Sequence, residues 1–178
     1  MTDLTAWTHA NVVELARTQT QLEGELPLSA CKRLLADVLA AEPSAVFVQW
    51  RVSAFQRTAS GETRPRPWLQ LTAQADVHVT CQSCLEPMAV PLHVDRLFRF
   101  VATEEEALLE DEESEEDVLS EPQDVDLFAL LEDEMLLALP LVPRHGGCIA
   151  EYQDVDAPAV IEEKPNPFAA LAALKKTH

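Results

Sequence analysis

The chain has 178 residues, 47% of them apolar, and a formal charge of −18 at neutral pH, a length that holds one substantial core plus tails. An acidic balance without a basic run excludes a protein that grips nucleic acid directly, because that affinity comes from Lys and Arg displacing counterions. The charge is also uneven: 16 of the 31 acidic residues lie between Glu104 and Glu134, where there is no Lys, Arg or His, which makes a negative belt on a nearly neutral body.

In chain order, Leu22, Leu26 and Leu28 alternate with Gln21, Glu23 and Glu25 over Thr20 to Leu28, the period of a half-buried strand. Ser29 then offers an N-cap, and Cys31, Leu34, Leu35 and Val38 form the stripe of an amphipathic helix that ends before Pro43, so Cys31 is expected in the core. A second strand runs from Ala45 to about Gln56, closed by a turn over Ser60 to Pro67. The clearest pattern follows, with Leu69, Leu71, Ala73, Ala75, Val77 and Val79 alternating with polar residues. Met88, Val90, Leu92, Val94, Phe98 and Phe100 repeat it beyond the sequence CQSCLEP. Arg96 falls on the apolar side of this count, which calls for a bulge or a sheet edge there.

Ten of the fourteen residues from Glu104 to Asp117 are Asp or Glu, which predicts a mobile acidic loop over 102–125. Asp126 can cap a helix of about Leu127 to Leu139 that Pro140 stops. Beyond it the sequence reads as a flexible tail, 146–178, ending in a short helix over 167–176. Phe168, Leu171 and Leu174 line one side of that helix, and Asn166-Pro167 and Lys175-Lys176 give it an N-cap and a cationic C-terminus. The expected fold is α+β: an antiparallel sheet of about four strands with an inserted helix, an acidic loop, a following helix and a tethered C-terminal helix. Residues 1–145 make a single globular domain.

The N-terminus lacks the basic start and apolar stretch of a signal peptide. The longest apolar run, Met135 to Pro143, is about half a membrane span. A soluble, cytoplasmic protein without membrane contact is expected. Four cysteines, two of them in a CxxC, suit a reducing compartment and a metal or redox reading better than a disulfide scaffold.

Cys81 and Cys84 stand at the spacing at which two thiolates bind one tetrahedral zinc ion, on a turn between strands. His145 and Cys148 repeat that spacing, with Gly146 and Gly147 between them to let the backbone fold tightly. Sixty residues separate the pairs, and nothing in the sequence brings the two turns together. The bland alternative is that Cys81 simply extends the buried row of its strand and Cys148 is an ordinary thiol. A redox role is disfavoured because that chemistry starts at a helix N-terminus, whereas this CxxC lies in a hairpin.

Four glycines in the whole chain leave no phosphate-cradling loop, dinucleotide fingerprint or nucleophile elbow. No catalytic residue and no small-molecule substrate are therefore expected. His78 and His93, on polar faces of neighbouring strands, read as solvated surface residues. Glu132, Asp133 and Glu134, consecutive on a helix, spread around its circumference and read as largely solvated, with one in a local hydrogen bond or ion pair.

CQSCLEPM from Cys81, EDEMLLALPLVPRH from Glu132 and KPNPFAALAALK from Lys164 resemble the bacterial YceD family, the large ribosomal RNA subunit accumulation proteins. The likeness is good over the second half of the chain and weaker before Leu69. Some relatives carry a second cysteine pair where this chain has His145 and Cys148. The resemblance implies a non-enzymatic factor supporting synthesis, processing or stability of large-subunit (23S) ribosomal RNA. Its partners are expected among ribosomal or assembly proteins met through the acidic belt and through Phe168, Leu171 and Leu174, with RNA contact indirect or weak. Two alternatives are a zinc-dependent RNA-processing hydrolase built on Cys81, Cys84, His145 and Cys148, and an acidic mimic of nucleic acid.

Overall fold

The alternating segments assemble into one five-stranded sheet, ordered β1-β2-β3-β4-β5. The computed structural model describes residues 8–58, 64–112, 114–120 and 122–148. Strands β1 (Gln21–Pro27), β2 (Phe47–Arg57), β3 (Arg66–Thr80) and β4 (Pro87–Phe100) pair antiparallel with their sequence neighbours. Short connections favour that arrangement. The expected α+β class and the helix inserted after the first strand are both borne out.

One face of the sheet carries Val48, Trp50, Val52, Leu69, Leu71, Leu92, Val94, Phe98 and Phe100, all buried. Three helices cover or flank it: α1 (Val12–Arg17), α2 (Lys32–Asp37) and, after a helix and strand described below, α4 (Leu127–Leu137). Leu34, Leu127, Leu131 and Met135 complete the core from the helices. Full burial of side chains of this size contributes about 1.5–3 kcal/mol each relative to exposure. Cys31 is buried among them, as expected. Among the described residues no helix is long and apolar enough to cross a membrane.

Local chemistry sets the helix ends. Asp126 caps α4 by accepting from the Ala129 N–H at 2.8 Å, the role read from the sequence. Helix α2 differs from its expectation. A 3-10 turn over Leu28–Ala30 intervenes, Ser29 caps nothing, and the helix starts at Lys32. Its first amides are served instead by Glu132 of α4, which accepts from the Arg33 N–H at 2.6 Å and the Leu34 N–H at 3.2 Å. Helix α1, which carries no long periodic pattern, is capped by Asn11 and tied by Val12 N–H to the Pro122 carbonyl at 2.7 Å.

The acidic stretch is the main departure from expectation. In place of a mobile loop over 102–125, it contains helix α3 (Glu104–Asp111) and strand β5 (Asp117–Leu119). β5 pairs parallel with β4 at Phe98, Arg99 and Phe100. The sheet is therefore mixed, with five strands where about four antiparallel ones were expected. Thr103 caps α3, and carboxylates in its first turn suit the positive end of the helix dipole. Cations from the sheet pair with three of the carboxylates: Arg66 meets Glu106 at 2.8 Å and Glu110 at 3.1 Å, and Arg99 meets Glu110 at 2.8 Å and Glu116 at 3.0 Å. Ala107 buries against Val101 and Val118 in a small second core.

Arg96 is explained without a bulge. The β3–β4 register runs unbroken through Leu71↔Arg96, and Arg96 lies beyond the β5 pairing, where the edge of β4 is open. Its guanidinium reaches Asp117 and Glu134. The compact unit extends through Cys148. The expected tail helix over 167–176, with Phe168, Leu171 and Leu174, lies outside the described residues.

Candidate metal centre

The turn joining β3 to β4 is built by its own backbone. Cys81 N–H donates to the Glu86 carbonyl at 2.9 Å, and Leu85 N–H to the Cys81 carbonyl at 2.9 Å. Leu85 closes the turn at φ 63°, a left-handed conformation normally left to glycine. The second turn follows α4, which Pro140 prevents from continuing. Cys148 N–H donates to the His145 carbonyl at 2.9 Å. That bond closes a tight turn through Gly146 and Gly147, as expected, although both have open space around them and neither takes left-handed backbone.

The two turns meet. Gln82 N–H donates to the Pro143 carbonyl at 2.8 Å, and the donor atoms of Cys81, Cys84, His145 and Cys148 all lie within 4.8 Å of one another. His145 Nδ1 stands 3.4 Å from Cys84 Sγ and 3.7 Å from Cys148 Sγ. Ligands around a tetrahedral zinc with bonds of about 2.3 Å to sulfur stand roughly 3.8 Å apart. His145 Nε2 donates to the Pro87 carbonyl at 3.3 Å, which assigns the proton to Nε2 and turns the Nδ1 lone pair toward the sulfurs. Orienting a ligand histidine through its other nitrogen is the usual supporting contact in metal sites.

The thiols differ in acidity. The Cys84 backbone N–H, helped by those of His145 and Ser83 and opposed by burial, holds the Cys81 thiol down at about 5. The Cys84 side chain and burial push Cys148 up to about 11. One thiolate forms readily and the next sulfur resists ionising beside it. A cation among the four donors removes that conflict, since metal ligation requires thiolates. Three sulfurs and one imidazole in near-tetrahedral spacing suit zinc.

A family model described as "Large ribosomal RNA subunit accumulation protein YceD" matches residues 69–175. The chain belongs to the YceD family. A relative from Haemophilus influenzae (strain ATCC 51907 / DSM 11121 / KW20 / Rd), "Large ribosomal RNA subunit accumulation protein YceD", is 38% identical over 111 residues, covering 58% of this chain and 62% of the relative. The match thus spans less than two thirds of the relative's length. No solved structure matches the chain significantly.

The YceD-matched segment opens within β3 and contains both turns of the candidate metal centre. It also contains Glu132, Asp133 and Glu134, and two of these are buried, contrary to the solvated reading. Glu132 caps α2 and meets Arg33 Nε at 2.8 Å. Asp133 pairs with the same guanidinium, and Glu134 faces Arg96 at 3.4 Å. Sequence spacing could not reveal those partners, because Arg33 is about a hundred residues away. His78 stands opposite Ala89 and His93 opposite Gln74, four residues apart along β3, so the two histidines are not brought together. Cys31, held up at about 11 by burial and then by Glu132, is an inert core thiol apart from the cluster.

Proposed function

We propose that this YceD-family chain is a non-enzymatic factor that supports accumulation of large-subunit (23S) ribosomal RNA in the cytoplasm. It acts through protein partners in ribosome assembly and keeps RNA contact indirect. Family membership, reaching across both turns of the metal centre, carries the reading. The name of the Haemophilus influenzae relative points the same way.

Within that role Cys81, Cys84, His145 and Cys148 hold a structural zinc ion. A closed set of four protein donors supports a structural reading over a hydrolase, which keeps one coordination position for water. The ion would clamp the β3–β4 hairpin to the segment after α4. Glu106, Glu110 and Glu116 are spent on Arg66 and Arg99, which takes support from the nucleic-acid mimic.

Deleting the gene and measuring the ratio of large- to small-subunit ribosomal RNA tests the role. A lowered ratio restored by the wild-type gene is expected, and an unchanged ratio with normal precursor processing defeats the proposal.

A further inference from the structure

We infer that the outer face of α3 is a docking surface for a cationic amphipathic segment of a partner protein. The inner face of this helix is fully engaged: Ala107 is buried, and Glu106 and Glu110 are paired with Arg66 and Arg99. The opposite face carries Glu105, Leu108, Leu109 and Glu112, all exposed. At 65% and 77% exposure Leu108 and Leu109 add little to the fold, and two adjacent leucines on an eight-residue helix form an apolar patch that no other described residue covers.

Charge around the patch selects the occupant. Glu105 and Glu112 form no ion pair among the described residues, whereas Glu106, Glu110 and Glu116 do. Two free carboxylates beside two leucines repel phosphates, which argues against nucleic acid and against anionic membrane. They complement Lys or Arg side chains, whose aliphatic stems lie over leucine while their heads reach a carboxylate. Steering by the acidic belt speeds the encounter, and the leucines supply the contact that salt does not screen.

This inference rests on the proposed function for its biological setting and gives the partners a chemistry. Its test stands apart from ribosomal RNA. A fluorescent peptide of four Lys-Leu-Leu-Lys repeats is titrated with the full chain and binding followed by anisotropy, beside an oligolysine of equal charge. Leu108→Gln with Leu109→Gln is expected to weaken peptide binding at least tenfold while barely changing oligolysine binding. Glu105→Gln with Glu112→Gln weakens both and flattens the salt dependence. The charge-matched Asp37→Asn with Glu42→Gln pair changes peptide binding less than twofold. Peptide binding indifferent to the leucines, or equal losses in the charge-matched control, overturns the surface. An unaltered ribosomal RNA ratio in the deletion strain would instead sink the proposed function and leave this result intact.

Discussion

Leu85 pays a conformational cost with no packing return, since it is 74% exposed at φ 63°. Left-handed backbone costs a non-glycine residue about 1–2 kcal/mol, of which glycine's greater freedom when unfolded takes back part. Leu85→Gly is therefore expected to raise the free energy of unfolding by about 0.5–1 kcal/mol, and Leu85→Val, branched at Cβ, to lower it by about 1 kcal/mol. Urea unfolding of both variants checks the pair; a loss in Leu85→Gly would mean that the side chain supports the fold. Glu134 offers a second test, in pH. Burial raises its pKa above the ordinary carboxylate value, Arg96 opposes the shift, and Asp117 and Asp133 add to it. The folded state thus binds more protons than the unfolded state just above the ordinary pKa, and stability contributed by this site falls as pH rises through that window. Glu134→Gln should be more stable than wild type at about pH 7 and indistinguishable from it below about pH 4, where both sites are neutral. An equal gap at the two pH values, again by urea unfolding, would assign the effect to packing.

Strands were legible because alternation is a local property: β1 to β4 lie within a few residues of the segments in which apolar and polar side chains alternate. Helix α4 was legible through Asp126 and Pro140, and both Cys/His pairs through their spacing. Helix α3 and strand β5 were not, because a run of carboxylates says nothing about which arginines of earlier strands will face it. Arg66 and Arg99 belong by parity to the polar face of the sheet, yet Arg99 is only 6% exposed and holds two carboxylates of the acidic stretch. Arg99→Met takes the cation from Glu116 and leaves Glu110 with Arg66 alone, both carboxylates being about a quarter or less exposed. Such a loss costs about 2 kcal/mol after allowance for partial solvation, roughly a thirtyfold change in an opening equilibrium. Amide exchange at Ala107 and Val118 should accelerate by about that factor, while Leu71 in the centre of the sheet keeps its protection. Uniform acceleration across β2 and β3 would instead make Arg99 a general stabiliser and deny α3 and β5 an independent opening.

How the distant pieces are joined decides how the chain behaves as a unit. The β3–β4 turn and the segment beyond α4 are sixty residues apart in sequence, and their direct links include the hydrogen bonds from Gln82 to Pro143 and from His145 to Pro87. No amount of local pattern shows such a meeting, which is why both pairs of ligands were visible in the sequence and their site was not. The proposed zinc at the four donors would turn these weak links into one closed connection. A ligand that binds only the folded state stabilises it by about 4 kcal/mol when its free concentration is a thousandfold above Kd. Protein purified without a histidine tag should contain one zinc per chain. Cys84→Ser should lose it, lower the thermal midpoint, and speed amide exchange around Cys81 and Cys148 more than in the middle of β3. The large core under α4 does not pass through the metal, so the variant should stay folded at low temperature, unlike a zinc finger, whose fold depends wholly on its ion. Metal-free wild-type protein with the midpoint of Cys84→Ser would return the four side chains to the status of neighbouring thiols and an imidazole, and would leave the hairpin and the α4 segment joined without a metal.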